Sequence, residues 1–407
     1  MVRPRLRHGH PLGPLPGLLV LLTPLSQLGY IPVAVVLGLQ LGADLALVGL
    51  TIGVYNAAAA VATLVFGPLF DLIPARKVLP WAVAVNVAVS LTLIVVPNVA
   101  VLMAGRILTG VSTSVLMLCA SILVADAHSD DPRARDRGFS NLQTFNSFGA
   151  ASGLAIGALA AGLSLPWLYF SVVALYGMGI LCITPALMRR MPDHSPLRSI
   201  VVTGSFGMRL RALVREAALT ARSPSTLCLL LGAAGVGWII QGGHYGVSLI
   251  LADLDPSLVQ RIGLAVLIPF GVFIGSSLNQ LSLGRFTATE LLARVYWLLP
   301  LACIAYAASV SSQLLVAQVP ALVVLGVLTG MLMPLSPAVI VSWYPGIRGS
   351  AAAAESIAKA MGATLSPVLL GMLAAEWNLA TALVGVAAVA LVGAVATLGF
   401  VRRAAIA

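Results

Sequence analysis

Near the C-terminal end of this 407-residue chain, Glu355 and Lys359 stand one helical turn apart inside a long apolar run. An acid followed by a base at i, i+4 stabilises a helix and neutralises both charges. The pair can also do chemistry. A buried carboxylate is a proton carrier, because burial favours its neutral form while a neighbouring cation favours the ionised one. A lysine released from such a pair can hold an anion, and its charge state moves more readily on burial than that of arginine. Lysine is scarce: of 23 Lys and Arg, only Lys77 and Lys359 are lysines, leaving 21 arginines. Far upstream, Arg106 lies in another apolar run, followed by Thr109, Gly110, Thr113 and Met117 at spacings of three and four that share one helix face. His244, within Gln241-Gly-Gly-His-Tyr245, can titrate near neutral pH, with capping or packing as the plainer role.

The elements that position these groups follow from composition. Hydrophobic residues make up 59% of the chain and charged residues 9%, with a mean hydropathy of +1.03. A soluble domain carries about 25% charged residues, and each ionisable residue inside a membrane helix costs about 2.5–3.5 kcal/mol on insertion scales. Twelve runs reach the roughly 20 residues needed to cross a bilayer: 15–41, 45–69, 78–96, 99–125, 139–163, 166–188, 226–250, 258–283, 290–309, 314–341, 350–374 and 379–400. They are apolar throughout rather than alternating, which favours helices over a β-barrel. The expected fold is therefore an all-α polytopic membrane protein of twelve transmembrane helices. We number the runs as spans one to twelve.

Charge placement sets the orientation. With the N-terminus inside, Arg106 and Lys359 lie within spans and only Arg261 lands outside, beside Asp253 and Asp255; of 23 cations this leaves 20 on the cytoplasmic side. Both termini are expected in the cytoplasm of a multi-pass inner (plasma) membrane protein. The net charge of +10 thus reads as topology rather than as nucleic-acid binding. Cys119, Cys182, Cys228 and Cys303 all fall in spans and read as small packing residues, not as a disulfide framework or metal cluster. The domain plan is a tail at 1–14, six spans at 15–188, a linker at 189–225, six spans at 226–400 and a tail at 401–407. The linker's Phe206-to-Glu216 stretch, with Arg209, Arg211 and Arg215, suits an interfacial helix or a solvated connector equally. A weak repeat crosses it: Arg137-Gly138 opens span five and Arg348-Gly349 opens span eleven, with Trp167 and Trp377 following at nearly the same offset. Two six-span halves of similar length are the signature of duplicated transporters.

The loop after span two reads Gly67-Pro-Leu69-Phe-Asp71-Leu-Ile-Pro-Ala-Arg76-Lys77-Val-Leu79. It resembles the G-x-L-x-D-R-x-G-R-K-x-x-L signature of the major facilitator superfamily, placed between spans two and three as in that family. Gly67, Leu69, Asp71 and Leu79 match, and Arg76 falls at the second basic position; Leu72, Pro74 and Ala75 depart. Arg106-Ile-Leu-Thr-Gly110 in span four is similar to the family's R-x-x-x-G. Span five carries Gly149, Gly153 and Gly157 at one-turn spacing, which allows close helix approach. The family's antiporters often have Gly-Pro there, where this chain has Gly153-Leu154.

The resemblance implies two pseudo-symmetric six-helix bundles rocking about a mid-membrane site, with spans one, four, seven and ten lining it and two, five, eight and eleven flanking. Asp71 is then expected to dock on the N-terminus of span eleven near Gly349-Ser350, where the helix dipole favours an anion, as a cytoplasmic gate with Arg76. At 1.5 Å per residue, Gln27, Tyr55, Asn56, Thr113, Asn146 and Lys359 fall near mid-membrane, with Arg106 and Gln241 nearer the outside; these are the expected substrate-binding residues, and Glu355 the proton-coupling one. Arg106 has a structural role as its alternative. Met331, Met333, Pro334 and Pro337 in span ten suit a soft cavity wall or plain packing. The resemblance and the apolar cavity imply proton-coupled export of small amphipathic compounds or drugs; transport of an organic anion or anionic lipid on Arg106 and Lys359 is the alternative. No nucleotide-binding loop, metal cluster or nucleophile–base pair is evident, so neither ATP nor an enzymatic reaction is expected. The expected partners are a small-molecule substrate, protons and the lipid bilayer, with a proton gradient as the energy source, no cofactor and a monomeric chain.

Overall fold

The computed structural model describes residues 15–404 apart from 71–74, 97, 128–131, 191–207, 209–210, 212–223, 254–256, 283–285, 313 and 344–347. Among the described residues, twelve stretches are long and apolar enough to cross a membrane. Span one is two helices, Leu15–Leu28 and Tyr30–Gln40, meeting at Gly29. Spans two to six are Leu45–Leu69, Ala75–Val95, Val99–Ala127, Pro132–Gly162 and Pro166–Arg190; spans seven to twelve are Pro224–Asp253, Leu258–Ser282, Ala288–Ser311, Leu315–Trp343, Arg348–Glu376 and Leu379–Ala404. Several begin on side chains that accept the first free amides: Asp44 for Leu47 N at 2.6 Å, Asn98 for Val101 N at 2.8 Å and Asn378 for Thr381 N at 2.8 Å. Span nine opens with a reciprocal capping box between Thr287 and Glu290.

The packing repeats at an offset of six. In the first half, span one packs on five, two on four, three on four and three on six. In the second, seven packs on eleven, eight on ten, nine on ten and nine on twelve. The structure is thus two similar six-helix bundles, joined mainly by span two on eleven and span five on eight.

Glycines set how close the paired helices come. A Cβ on Gly153 would lie 2.9 Å from Leu25 Cα, and one on Gly157 2.9 Å from the Gly29 carbonyl carbon. The glycine stripe of span five therefore lets its backbone rest on the broken part of span one. In the second half the same job falls to Gly237, which sits on the Lys359 carbonyl, and Gly362, which sits on that of Ala234.

Among the described residues, the contacts between the halves gather towards one end. Asn56 of span two donates to the Ala363 carbonyl of span eleven at 3.4 Å, and Tyr245 of span seven to the Leu45 carbonyl of span two at 2.8 Å. Gly49, Gly53 and Gly371 bring spans two and eleven together at Pro367, Thr364 and Leu45, and Gly162 of span five meets Leu258 and Arg261 of span eight. All of these lie between mid-span and the end where spans one and two join. On span five, Phe148 lies four turns from Gly162 on nearly the same face, yet it is 64% exposed. Among the described residues, the halves are packed together towards the end carrying residues 41–44.

Candidate transport site

Arg106 is enclosed within the first half. It is 3% exposed, donates from Nη1 to the Ser26 carbonyl at 2.8 Å, and lies 4.0 Å and 4.4 Å from the ring centres of Tyr30 and Tyr55. Ser26 sits just before the break at Gly29. Tyr169 of span six donates to the same carbonyl at 3.1 Å and to that of Leu25 at 3.0 Å. The rings that sandwich the guanidinium are themselves fixed, Tyr30 by Thr51 at 2.9 Å and Tyr55 by Thr113 at 2.7 Å. Arg106 thus ties spans one, two and four together at the interruption of span one. Its Nε and Nη2 have no protein partner. Every group it touches belongs to one half, so rocking of the halves leaves its surroundings intact.

Nearer the boundary between the halves lies a chain of amides. Gln27 Nε2 donates to Asn56 Oδ1 at 2.8 Å, and Asn56 Nδ2 reaches across to Ala363 O. Gln27 and Asn146 are half-buried, whereas Tyr55, Thr113 and Gln241 are buried, and the Gln241 Nε2 has no protein partner. Of the expected substrate-binding residues, the structure therefore gathers Gln27 with Asn56 and, separately, Arg106 with Tyr55 and Thr113. His244 is buried in span seven, and Met331 and Met333 are half-buried.

Glu355 and Lys359 form their ion pair, with Nζ 3.0 Å from Oε1; the carboxylate side chain is 1% exposed and that of lysine 24%. The acid is thus sealed between helices while the base keeps one side open. The gate expected at Asp71 lies outside the described residues, as do the side chain of Arg76 and most of the linker. Among the described residues no three His, Cys, Asp or Glu side chains converge as metal ligands.

The sequence profile of the Major Facilitator Superfamily matches residues 17–308. The chain belongs to that superfamily. No curated protein sequence matches it. Among solved structures, this transporter is similar to the nucleoside transporter NupG, both as a point mutant (TM-score 0.75, 13% identity, 96% of this chain and 100% of that one) and in a second structure (0.74, 14%, 96% and 99%). It is also similar to a bacterial homologue of the human lysosomal transporter Spinster in an inward-facing, unoccupied conformation (0.72, 16%, 96% and 98%). At such identities these likenesses speak for the fold. The superfamily is one of transporters rather than enzymes.

Sequence reasoning did not single out Tyr30 or Tyr169 for this transporter. A tyrosine inside a span reads as packing, and only the assembled bundle shows what its hydroxyl reaches.

Proposed function

We propose that this superfamily member is a proton-coupled secondary transporter exporting small amphipathic compounds across the cell's inner membrane by alternating access. The observation that carries the reading is the place of Glu355. It is a sealed carboxylate on span eleven, the helix that packs on span two across the halves and on span seven within its own. Protonation removes the charge that holds Lys359, and so alters the helix that makes the joint between the halves. With the 20 cations cytoplasmic, the closed end is the outer one and the site opens inward.

The solute class follows from the groups expected around mid-membrane, of which Gln27 and Asn56 border the joint. Gln27, Asn56 and Asn146 offer neutral hydrogen-bonding groups, and Met331 and Met333 offer adaptable apolar surface. That combination suits an uncharged or weakly charged amphipathic molecule. A nucleoside, the solute named for one structural neighbour, belongs to this class. The organic-anion alternative is not favoured by this arrangement, since Lys359 is neutralised by Glu355 and Arg106 is enclosed within one half.

The test uses proteoliposomes with ethidium, uridine and carboxyfluorescein as probes under an imposed pH gradient. The expected result is gradient-driven movement of ethidium or uridine that Glu355→Gln uncouples from the gradient. Movement of carboxyfluorescein alone, abolished by Lys359→Ala, moves the assignment to anions. Transport by Glu355→Gln that still follows the gradient removes Glu355 from coupling.

A further inference from the structure

Spans seven and nine end, and spans ten and twelve begin, around a cavity of about 330 Å³. That size lies within the roughly 300–1,000 Å³ of small-molecule sites. Its lining among the described residues comes from the second half alone, so the cavity is not divided when the halves part. None of Gln27, Asn56, Glu355 or Lys359 lines it. The orientation proposed above makes this the outer face of the protein.

The floor of the cavity is formed by Ile250 and Gln318, both buried. Gln318 is 1% exposed, and its Nε2 has no hydrogen-bond partner. A buried amide in this state lacks the bond that water would have supplied, and a ligand seated beside it can supply one. One wall is the start of span twelve. There Asn378 Oδ1 accepts from Thr381 N at 2.8 Å and the Asn378 carbonyl from Ala382 N at 3.0 Å, which commits both oxygens to the helix. Leu379 and Ala380, whose amides come too early for a partner within the helix, also line the cavity, beside the Asn378 side chain with its Nδ2 left to donate. These N–H groups and the positive end of the helix dipole suit a carboxylate. Span seven contributes the opposite charge. Asp253 is its last residue, where the dipole disfavours an anion, and it forms no ion pair among the described residues. Its exposed carboxylate is therefore placed to receive a cation brought by the ligand.

We propose that this cavity binds a small zwitterion, an α-amino acid with a short aliphatic side chain. Its carboxylate lies at the start of span twelve with Gln318 Nε2 donating from the floor, its ammonium on Asp253, and its side chain against Ile250 and Val310. The site depends neither on Glu355 nor on the direction of transport.

Scintillation-proximity binding of tritiated L-leucine to the protein in lipid nanodiscs tests the site. Two competitors each carry half of the recognition: isoamylamine lacks the carboxylate and isocaproate lacks the ammonium. Unlabelled leucine is expected to displace the tracer, and each analogue to do so at least about tenfold more weakly, the worth of one charge-assisted contact. Asp253→Asn changes an exposed residue and Gln318→Leu removes an amide nitrogen that had no partner, so both variants should unfold at the wild-type temperature. Each should weaken leucine binding by about tenfold or more. Absence of saturable leucine binding by the wild-type protein refutes the proposal. Leucine binding that both variants retain at full strength belongs to another part of the molecule and refutes it as well. Equal displacement by isoamylamine and leucine leaves a plain cation site at Asp253 and overturns the zwitterion class.

Discussion

Gly49→Ala adds one carbon where the two halves close on each other. A Cβ at this position would stand 2.6 Å from the Pro367 carbonyl carbon and 3.0 Å from Val368 N, against the 3.4 Å at which ordinary contact begins. Restoring that contact requires the backbones to part by at least about 0.8 Å, the difference between 3.4 and 2.6 Å, and the Pro367 carbonyl oxygen stands closer still. Neither obstacle is the flexible end of a side chain, so the relief must come from the helices. Inserting a methyl into a close-packed contact costs about 1–3 kcal/mol, and the cost falls only on the state in which this end is closed. A two-state equilibrium so biased shifts about 5- to 150-fold towards the state open at residues 41–44. Double electron–electron resonance between nitroxides at Gln40→Cys and Trp377→Cys, in a background lacking the native cysteines, reads the shift as a longer distance with greater weight. Gly179→Ala on span six is the control, since a Cβ there meets nothing within 4 Å. A distance distribution for Gly49→Ala that overlays the control refutes the idea that this glycine contact holds the end shut.

Three further outcomes follow from the buried charges and the amide bridge. Lys359→Ala leaves the sealed Glu355 carboxylate without its cation and is expected to lower stability by about 3–5 kcal/mol; the double variant Glu355→Gln/Lys359→Met should recover most of that loss in thermal unfolding. Arg106→Lys keeps the charge but gives up the planar stacking between Tyr30 and Tyr55, and should lose about 1–3 kcal/mol in the same assay, because lysine presents a point charge where a flat fork fitted. Asn56→Leu removes both the bond to Gln27 and the reach to Ala363 O; it should slow ethidium or uridine transport while leaving the unfolding temperature within a few degrees, a pattern that thermal unfolding and proteoliposome uptake separate.

The spans were legible because a membrane helix must be apolar along its whole length, and that pattern is local. Their ends were less so. Span three begins at Ala75 and span five at Pro132, several residues before their apolar runs, because a helix continues into the polar interface wherever its amides can still pair. Span one reads as a single run at 15–41. The chain instead holds helix through Pro24 and is interrupted at Gly29, just beyond the Leu25 and Ser26 carbonyls that accept from Tyr169 of span six and Arg106 of span four. Nothing within span one announces this, because its partners lie on two other helices. The same distinction divides the candidate site. The Glu355–Lys359 pair was readable because both residues share a turn. The enclosure of Arg106 was not, since Tyr30, Tyr55 and Tyr169 come from three helices, and neither was the cavity at Asp253, whose lining comes from four.

The joint between spans two and eleven is made largely of carbonyl oxygens lying over glycines, with few side chains crossing it. Those oxygens already receive hydrogen bonds within their own helices, so parting the surfaces strands almost no donor or acceptor. Nothing interlocks, and little has to be rehydrated. Such a seam can open and reseal many times along the same path, its speed governed by the few polar links at its margin, chiefly those of Asn56 and Tyr245. It also has no room for gradual change: the smallest side chain larger than hydrogen is already an obstacle, which leaves these glycine positions little freedom to vary.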